Sequence, residues 1–345
     1  MDISLSFVIY FFYSIFLVFS LIDGATEEKT SDDRNITEFN SFDEYKKSLK
    51  RRYFHPFQEI RSRLAFEQNL NIIRKHNQLF EEGKTGFKLR ANCFADLNSR
   101  QYLRKHVRLV RSIRLKFLDK DSTIVGAPQT LSALPEALDW REKGFITPAD
   151  NQGSCGSCYA FSVSQSIQGQ IYKRTGKILP LSEQQIVDCS VVDGNHGCAG
   201  GSLRNTLRHL ERYGGLMRRQ DYKYRARQGI CQFVEELAVV NVTSWAILPP
   251  GDEDAMRVAV ATIGPIAVSV NASPQTFQLY SHGIYDDEGC SADKVNHAML
   301  LVGYGPGFWI LKNWWGLNWG TGGYMKIKRG KNLCGIANYA AYAIV

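Results

Sequence analysis

The stretch Gln152-Gly-Ser-Cys155-Gly-Ser-Cys158-Tyr-Ala-Phe161 constrains this chain more than any other. Its second cysteine is followed by Ala160, Val163, Ile167 and Ile171 at helical spacing, and then by Gly176. Cys158 is therefore predicted to open a helix that Gly176 closes. A thiol in that place can be a nucleophile, a disulfide half, a metal ligand or a redox partner. Metal binding fits poorly, because Cys189 and Cys198 stand nine apart and no histidine pair follows at ligand spacing. Redox exchange fits no better, since the motif does not lie in a βαβ pattern.

Two later strings supply a base and an amide: Val295-Asn296-His297-Ala298 and Lys312-Asn313-Trp314-Trp315-Gly316. His297 lies 139 residues after Cys158, and Asn313 lies 155 after it. A cysteine is mostly protonated at neutral pH, so a nucleophilic one needs a helix N-terminus or a neighbouring imidazolium to favour the thiolate. In order, spacing and neighbours, these strings resemble the papain/cathepsin cysteine proteases, cathepsin L-like subfamily.

The resemblance covers Ser41 to Val345 and implies roles for individual residues. Cys158 would be the nucleophile, His297 its general acid and base, Asn313 the group that orients the imidazole, and Gln152 an oxyanion donor. Substrate contacts would fall on Gly200, Gly201, Ser202, Leu203, Ser269, Val295, Ala298, Trp315, Trp319 and Tyr339. Tyr339 would floor the pocket for the second substrate residue on the acyl side. Trp315 would cover the His–Asn pair, and Trp319 would wall the leaving-group side. Trp314 stands where the family more often has serine, and its bulk is expected to bear on access. No metal or cofactor is implied.

The chain carries eight cysteines. Setting aside Cys158 and the upstream Cys93 leaves six, which by themselves allow 15 pairings. The family pattern implies Cys155 with Cys198, Cys189 with Cys231, and Cys290 with Cys334. An oxidising route is consistent with residues 3–22, an apolar run at the extreme N-terminus that meets Gly24 and Ala25. Twenty such residues could also span a bilayer, but the position favours a secretory leader over residues 1–24. Asn35, Asn241 and Asn271 are then candidate glycan acceptors. The expected location is the secretory pathway, lysosomal or extracellular.

Residues 25–133 read as an inhibitory prosegment and 134–345 as the peptidase domain. Glu59, Arg63, Phe66, Asn69, Ile73 and Asn77 recur at three and four, sharing one helix face. They match the interspersed prosegment motif of cathepsin L-like proteins, and Asn92-x-Phe94-x-Asp96 resembles its second motif. Arg90 replaces that motif's usual small residue, and Asp96 is expected to pair with basic prosegment residues. Thr123 to Pro135 reads as a linker.

Formal charge separates along the same boundary. Residues 25–133 hold 22 Lys/Arg against 14 Asp/Glu, whereas 134–345 hold 20 against 18. Basicity thus sits in the prosegment, and a nucleic-acid partner is not indicated.

After Cys158 the first half reads helical, with Ser182 capping a second helix and Leu203, Leu207 and Leu210 marking a third before Gly214. Strands are predicted at 238–242, 266–270, 298–304, 308–313 and 324–328. Helices followed by strands indicate an α+β fold with two lobes. The resemblance makes this a papain-like two-lobed fold, a helical left lobe and a β-barrel-like right lobe with the active site between them.

The expected activity is that of a cysteine endopeptidase made as a zymogen, since the chain has no room for the extra loop with which exopeptidase relatives block the cleft. Its expected partners are polypeptide substrates, its own prosegment and cystatin-type inhibitors, and the mature enzyme is expected to be a monomer. The rival readings are a catalytically weak homologue acting as a binding protein, and a Cys-His acyltransferase. The full set Cys158, His297, Asn313 and Gln152 speaks against the first. The prosegment speaks against the second.

Overall fold

The computed structural model describes residue 39 and residues 41–110 and 131–345. The leader, Asn35 and most of the linker lie outside the described residues. Two helices open the fold: α1 (Phe42–Ser48), capped by the Ser41 hydroxyl, and α2 (Pro56–Glu81), with proline in its first turn. The helix-face stripe divides by role. Glu59 and Arg63 form ion pairs with Lys46 (2.5 Å) and Asp43 (2.8 Å), joining α2 to α1. Phe66, Asn69 and Ile73 are buried beneath.

The two asparagines of the stripe replace backbone partners. Asn69 Nδ2 donates to the carbonyls of Ala95 (2.7 Å) and Leu97 (3.0 Å). Asn77 both accepts from Leu89 N and donates to Leu89 O, each at 2.9 Å, as a neighbouring strand would. Leu89 ends strand β1 (Phe87–Leu89), and helix α3 (Ser99–His106) follows behind an Asn98/Gln101 capping box.

The peptidase part begins with the short strand β2 (Leu138–Asp139). Next come α4 (Cys158–Thr175), α5 (Glu183–Cys189) and α6 (Leu203–Tyr213). Their boundaries follow from local chemistry. Gly176 and Gly214 end α4 and α6 at φ 67° and 83°, a left-handed conformation that costs glycine little. Ser182 and Ser202 cap α5 and α6 through their hydroxyls.

Beyond α6 the chain forms β3 (Leu216–Met217), β4 (Ala238–Val240), β5 (Ser244–Ile247) and α7 (Glu253–Thr262). Then follow β6 (Ile266–Val270), the one-turn α8 (Gln275–Gln278), β7 (Tyr280–Tyr285) and β8 (His297–Gly305). Strands β9 (Phe308–Lys312), β10 (Tyr324–Lys328) and β11 (Ala340–Ile344) complete it. The main sheet runs β1-β7-β10-β9-β8-β6-β11-β5, with β2 on β8. The prosegment therefore supplies an edge strand, β1 against β7. The strand predicted at 238–242 is shorter and pairs with β3, outside that sheet.

All nine residues of β8 are buried, which explains why its sequence runs nearly continuously apolar. Three disulfides staple the peptidase part: Cys155–Cys198, Cys189–Cys231 and Cys290–Cys334, with separations of 43, 42 and 44 residues. Loops of that length each remove about 4 kcal/mol of unfolded-chain entropy. Cys93 and Cys158 remain thiols. Among the described residues, no helix is long and apolar enough to cross a membrane.

Candidate active site

Helix α4 and strand β8 meet where Cys158 and His297 begin them. Both side chains are fully buried, and the Ala298 amide, next to His297, lies against the Cys158 sulfur. His297 Nε2 bonds to Asn313 Oδ1 at 2.7 Å. An amide oxygen only accepts, so Nε2 carries the proton. In the neutral ring Nδ1 is then the basic atom, and it has no hydrogen-bond partner among the described residues. The Trp315 ring stacks on His297 at 4.6 Å and 26°, and Trp319 meets Trp315 edge-on at 5.0 Å.

Asn313 is fixed from behind. Its Oδ1 also accepts from Trp314 N at 2.8 Å. Lys312, buried within the fold, donates to Pro148 O (2.6 Å) and to Gln165 Oε1 (2.9 Å) of α4. Burial pulls its ammonium down to about 8. Trp314 is fully buried. Its ring turns inward, stacks on Phe161 at 5.4 Å and donates Nε1–H to Ala298 O at 3.0 Å.

The cleft is occupied by the chain's own residues 106–110. Gln152 Nε2 donates to His106 O at 3.1 Å, and the Arg108 backbone reaches the Cys158 sulfur. Leu109 N bonds to Asn296 O and Val110 N to Gly201 O, each at 2.8 Å. Gly200, at φ 123°, allows this approach: a Cβ there would meet Arg108 O at 2.2 Å. Phe94 and Tyr102 pack on Trp315 at 5.1 and 5.6 Å.

Dry surroundings disfavour charge. Burial pushes the Cys158 thiol up to about 12, against the pull of the Ala298, Tyr159 and Arg108 backbone groups. Burial also holds His297 down to about 4, despite the Asn313 hydrogen bond. Both groups are thus neutral beneath the prosegment.

The remaining candidate contacts gather beside this centre. Ser269 pairs with Ala298 in the β6–β8 ladder, and its amide donates to Tyr339 O at 2.9 Å. Ser202 and Leu203 start α6, whose next residue, Arg204, lies 5.6 Å from the Tyr339 ring centre. Val295 packs near Gly335, where a Cβ would come within 2.9 Å of its Cγ1. Asn271 is different. Its side chain is buried and donates to Ser291 O at 2.9 Å. Asn241 is exposed.

Sequence reasoning missed Lys312 and the exact prosegment residues that fill the cleft. The KNWWG string placed Lys312 next to Asn313, but nothing in it signalled burial.

Residues 134–344 match the family described as papain family cysteine protease, and residues 42–102 match the cathepsin propeptide inhibitor domain (I29). Procathepsin L of Mus musculus is 39% identical over 308 residues, covering 87% of this chain and 90% of that protein. Cathepsin L2 of Homo sapiens is 38% identical over 305 residues, covering 86% and 90%. Digestive procathepsin L 3 from Tenebrio molitor larval midgut superposes with a TM-score of 0.78 at 32% identity, covering 88% of this chain and 97% of that one. With its thiol, imidazole and amide aligned under its own inhibitor domain, the chain belongs to the papain family of cysteine proteases, as a cathepsin L-like endopeptidase in zymogen form.

Proposed function

We propose that Cys158, His297, Asn313 and Gln152 carry out peptide hydrolysis once residues 25–133 are removed. The observation that best supports this is Gln152 Nε2 already holding a peptide carbonyl, that of His106, in the cleft. When the prosegment leaves, water and substrate reach Cys158 and His297, and the cost of charging them falls. The thiol proton passes to His297 Nδ1, forming a thiolate–imidazolium pair at the start of α4, where the helix dipole favours the anion.

The thiolate attacks the scissile carbonyl carbon, and the π electrons move onto its oxygen. That oxyanion accepts from Gln152 Nε2–H and the Cys158 amide. As the intermediate collapses, the C–N bond breaks and His297 protonates the departing amine. The acyl-enzyme remains. His297, now neutral, takes a proton from water, hydroxide adds to the thioester, and the acid leaves with the thiol restored. Asn313 keeps Nε2 protonated throughout, so that Nδ1 faces the chemistry.

Substrates are polypeptides. Ser202, Leu203, Ser269, Val295, Ala298 and Tyr339 form the pocket for the second acyl-side residue, and Gly200 and Gly201 pair with the substrate backbone. Trp315 shields the His–Asn pair, and Trp319 closes the leaving-group side. Cystatin-type inhibitors would compete for the same cleft, and the mature enzyme acts as a monomer. The three disulfides support synthesis in the secretory pathway, with a lysosomal or extracellular destination. Recovery from cells with the six paired cysteines reduced would oppose that placement.

Replacing Cys158→Ser tests the central assignment. Hydrolysis by the matured enzyme is expected to fall by about 10⁴-fold or more with circular dichroism unchanged. Turnover within tenfold of wild type would refute it.

A further inference from the structure

Ser157 occupies the cap position of α4 but makes no side-chain cap bond. A serine there ordinarily accepts from an amide of the first helical turn. Its hydroxyl is instead 2.6 Å from the Tyr224 hydroxyl, which in turn donates to Gln152 O at 2.9 Å. A carbonyl can only accept, so the direction is fixed: Ser157 donates to Tyr224, and Tyr224 donates to Gln152. One phenol thereby joins the residue before the nucleophile to the residue that carries the oxyanion amide.

Tyr224 is itself held firmly. Its ring meets Phe161 edge-on at 4.8 Å, with Trp314 stacked on that same phenylalanine. The segment around it is tied to α5: Arg225 N donates to Gln184 Oε1 at 2.7 Å, and Gln184 Nε2 donates to Arg227 O at 2.8 Å. Asp188 Oδ1 accepts from Gly229 N at 2.6 Å, and the Cys189–Cys231 disulfide closes the segment. The hydroxyl is therefore presented from a braced loop.

We propose that Tyr224 is a positioning residue for the oxyanion site, resting on the catalytic assignment above. It fixes the Gln152 backbone, and with it the direction of the side-chain amide. It also engages the Ser157 hydroxyl, which makes no side-chain cap, so that the Cys158 amide stays available to the oxyanion. A donor shifted by a fraction of an ångström loses part of its preference for the transition state while substrate binding changes little.

The test is Tyr224→Phe, which keeps the ring against Phe161 and removes only the hydroxyl. The full-length precursor is matured in acid with pepsin, freed of it, and assayed with a peptide substrate, a peptide aldehyde and iodoacetamide. The aldehyde forms a tetrahedral adduct that uses the oxyanion donors, whereas alkylation needs only the thiolate. We expect kcat and aldehyde affinity to fall about tenfold, with KM and the pH profile of alkylation unchanged. If that variant does not fold, Ser157→Ala carries the same test with a smaller aldehyde loss. Values of kcat and aldehyde affinity within twofold of wild type, whatever the Tm, would overturn the proposal. So would a parallel loss of alkylation rate, which would indicate damage to the thiolate pair. Failure of the underlying assignment would look different: wild-type activity insensitive to iodoacetamide.

Discussion

Cys158 and His297 are kept uncharged by the same cause, burial beneath residues 106–110. A neutral thiol and a neutral imidazole make a poor nucleophile and a poor acid, so covering the pair inhibits it twice, by exclusion and by electrostatics. At the same scale, Tyr339 bears on selectivity. Its carbonyl accepts from the Ser269 amide, and its ring is flanked by the Arg204 guanidinium. The pocket is expected to prefer Val, Leu or Pro and to disfavour Phe or Tyr. A peptide-library profile should show Tyr339→Ala raising cleavage after Phe at that position by about tenfold relative to Leu, the scale of a few methylenes of pocket volume. Phe outranking Leu in the wild type would contradict it. The sequence could align Tyr339 with this position. It could not give the inward turn of Trp314, because whether a tryptophan faces cleft or core depends on Phe161 and Ala298, far away in the chain.

Elements of the prosegment are legible in proportion to how far they stand alone. Helix α2 has 26 residues with its own periodicity, and its motif was readable. Strand β1 has three residues and exists because β7 pairs with it and Asn77 caps it, so no local signal betrays it. Helix α7 lies in a stretch for which no element is predicted from the sequence, although Asp252 caps it. Arg90 is more than a departure from the motif. Its guanidinium donates to Gly320 O at 2.9 Å, a tether from prosegment to peptidase part. Asp96 finds its expected basic partner in Arg51 at 3.4 Å, and also accepts from Tyr45 and Tyr53 at 3.1 and 2.8 Å.

At the end of α3, His106 donates Nδ1–H to Gly153 O at 3.1 Å and lies 4.6 Å from the Phe94 ring. Burial holds it down to about 4, and Lys105, Arg51 and Arg108 add to that effect. A free histidine titrates near 6.5. The undocked prosegment therefore binds the extra proton, and docking stability is full above about 6.5 and lost as pH falls toward 4, by on the order of 2–3 kcal/mol. His106→Gln keeps a donor but does not titrate. Its maturation midpoint, followed by gel against pH, should move about half a unit to one unit more acidic. An unchanged midpoint would remove His106 from the trigger.

For the molecule as a whole, prosegment and peptidase part share one sheet, through β1, and one cleft, through residues 106–110. This joint construction limited what the sequence could reveal. The order of Cys158, His297 and Asn313 was readable because motif strings are local, and helix ends were readable from Ser182, Gly176 and Gly214. Contacts between distant strings, such as Tyr224 on Gln152 or Lys312 on Gln165, carry no local mark. The central claim is that removing the prosegment creates the charged catalytic pair. The most direct measurement acidifies the purified precursor and follows mass, peptidase activity and iodoacetamide labelling of Cys158 in the same samples. Labelling and activity should rise together with loss of the prosegment to a product starting near Leu134. An intact precursor that labels and hydrolyses at the rate of the processed form would contradict the account.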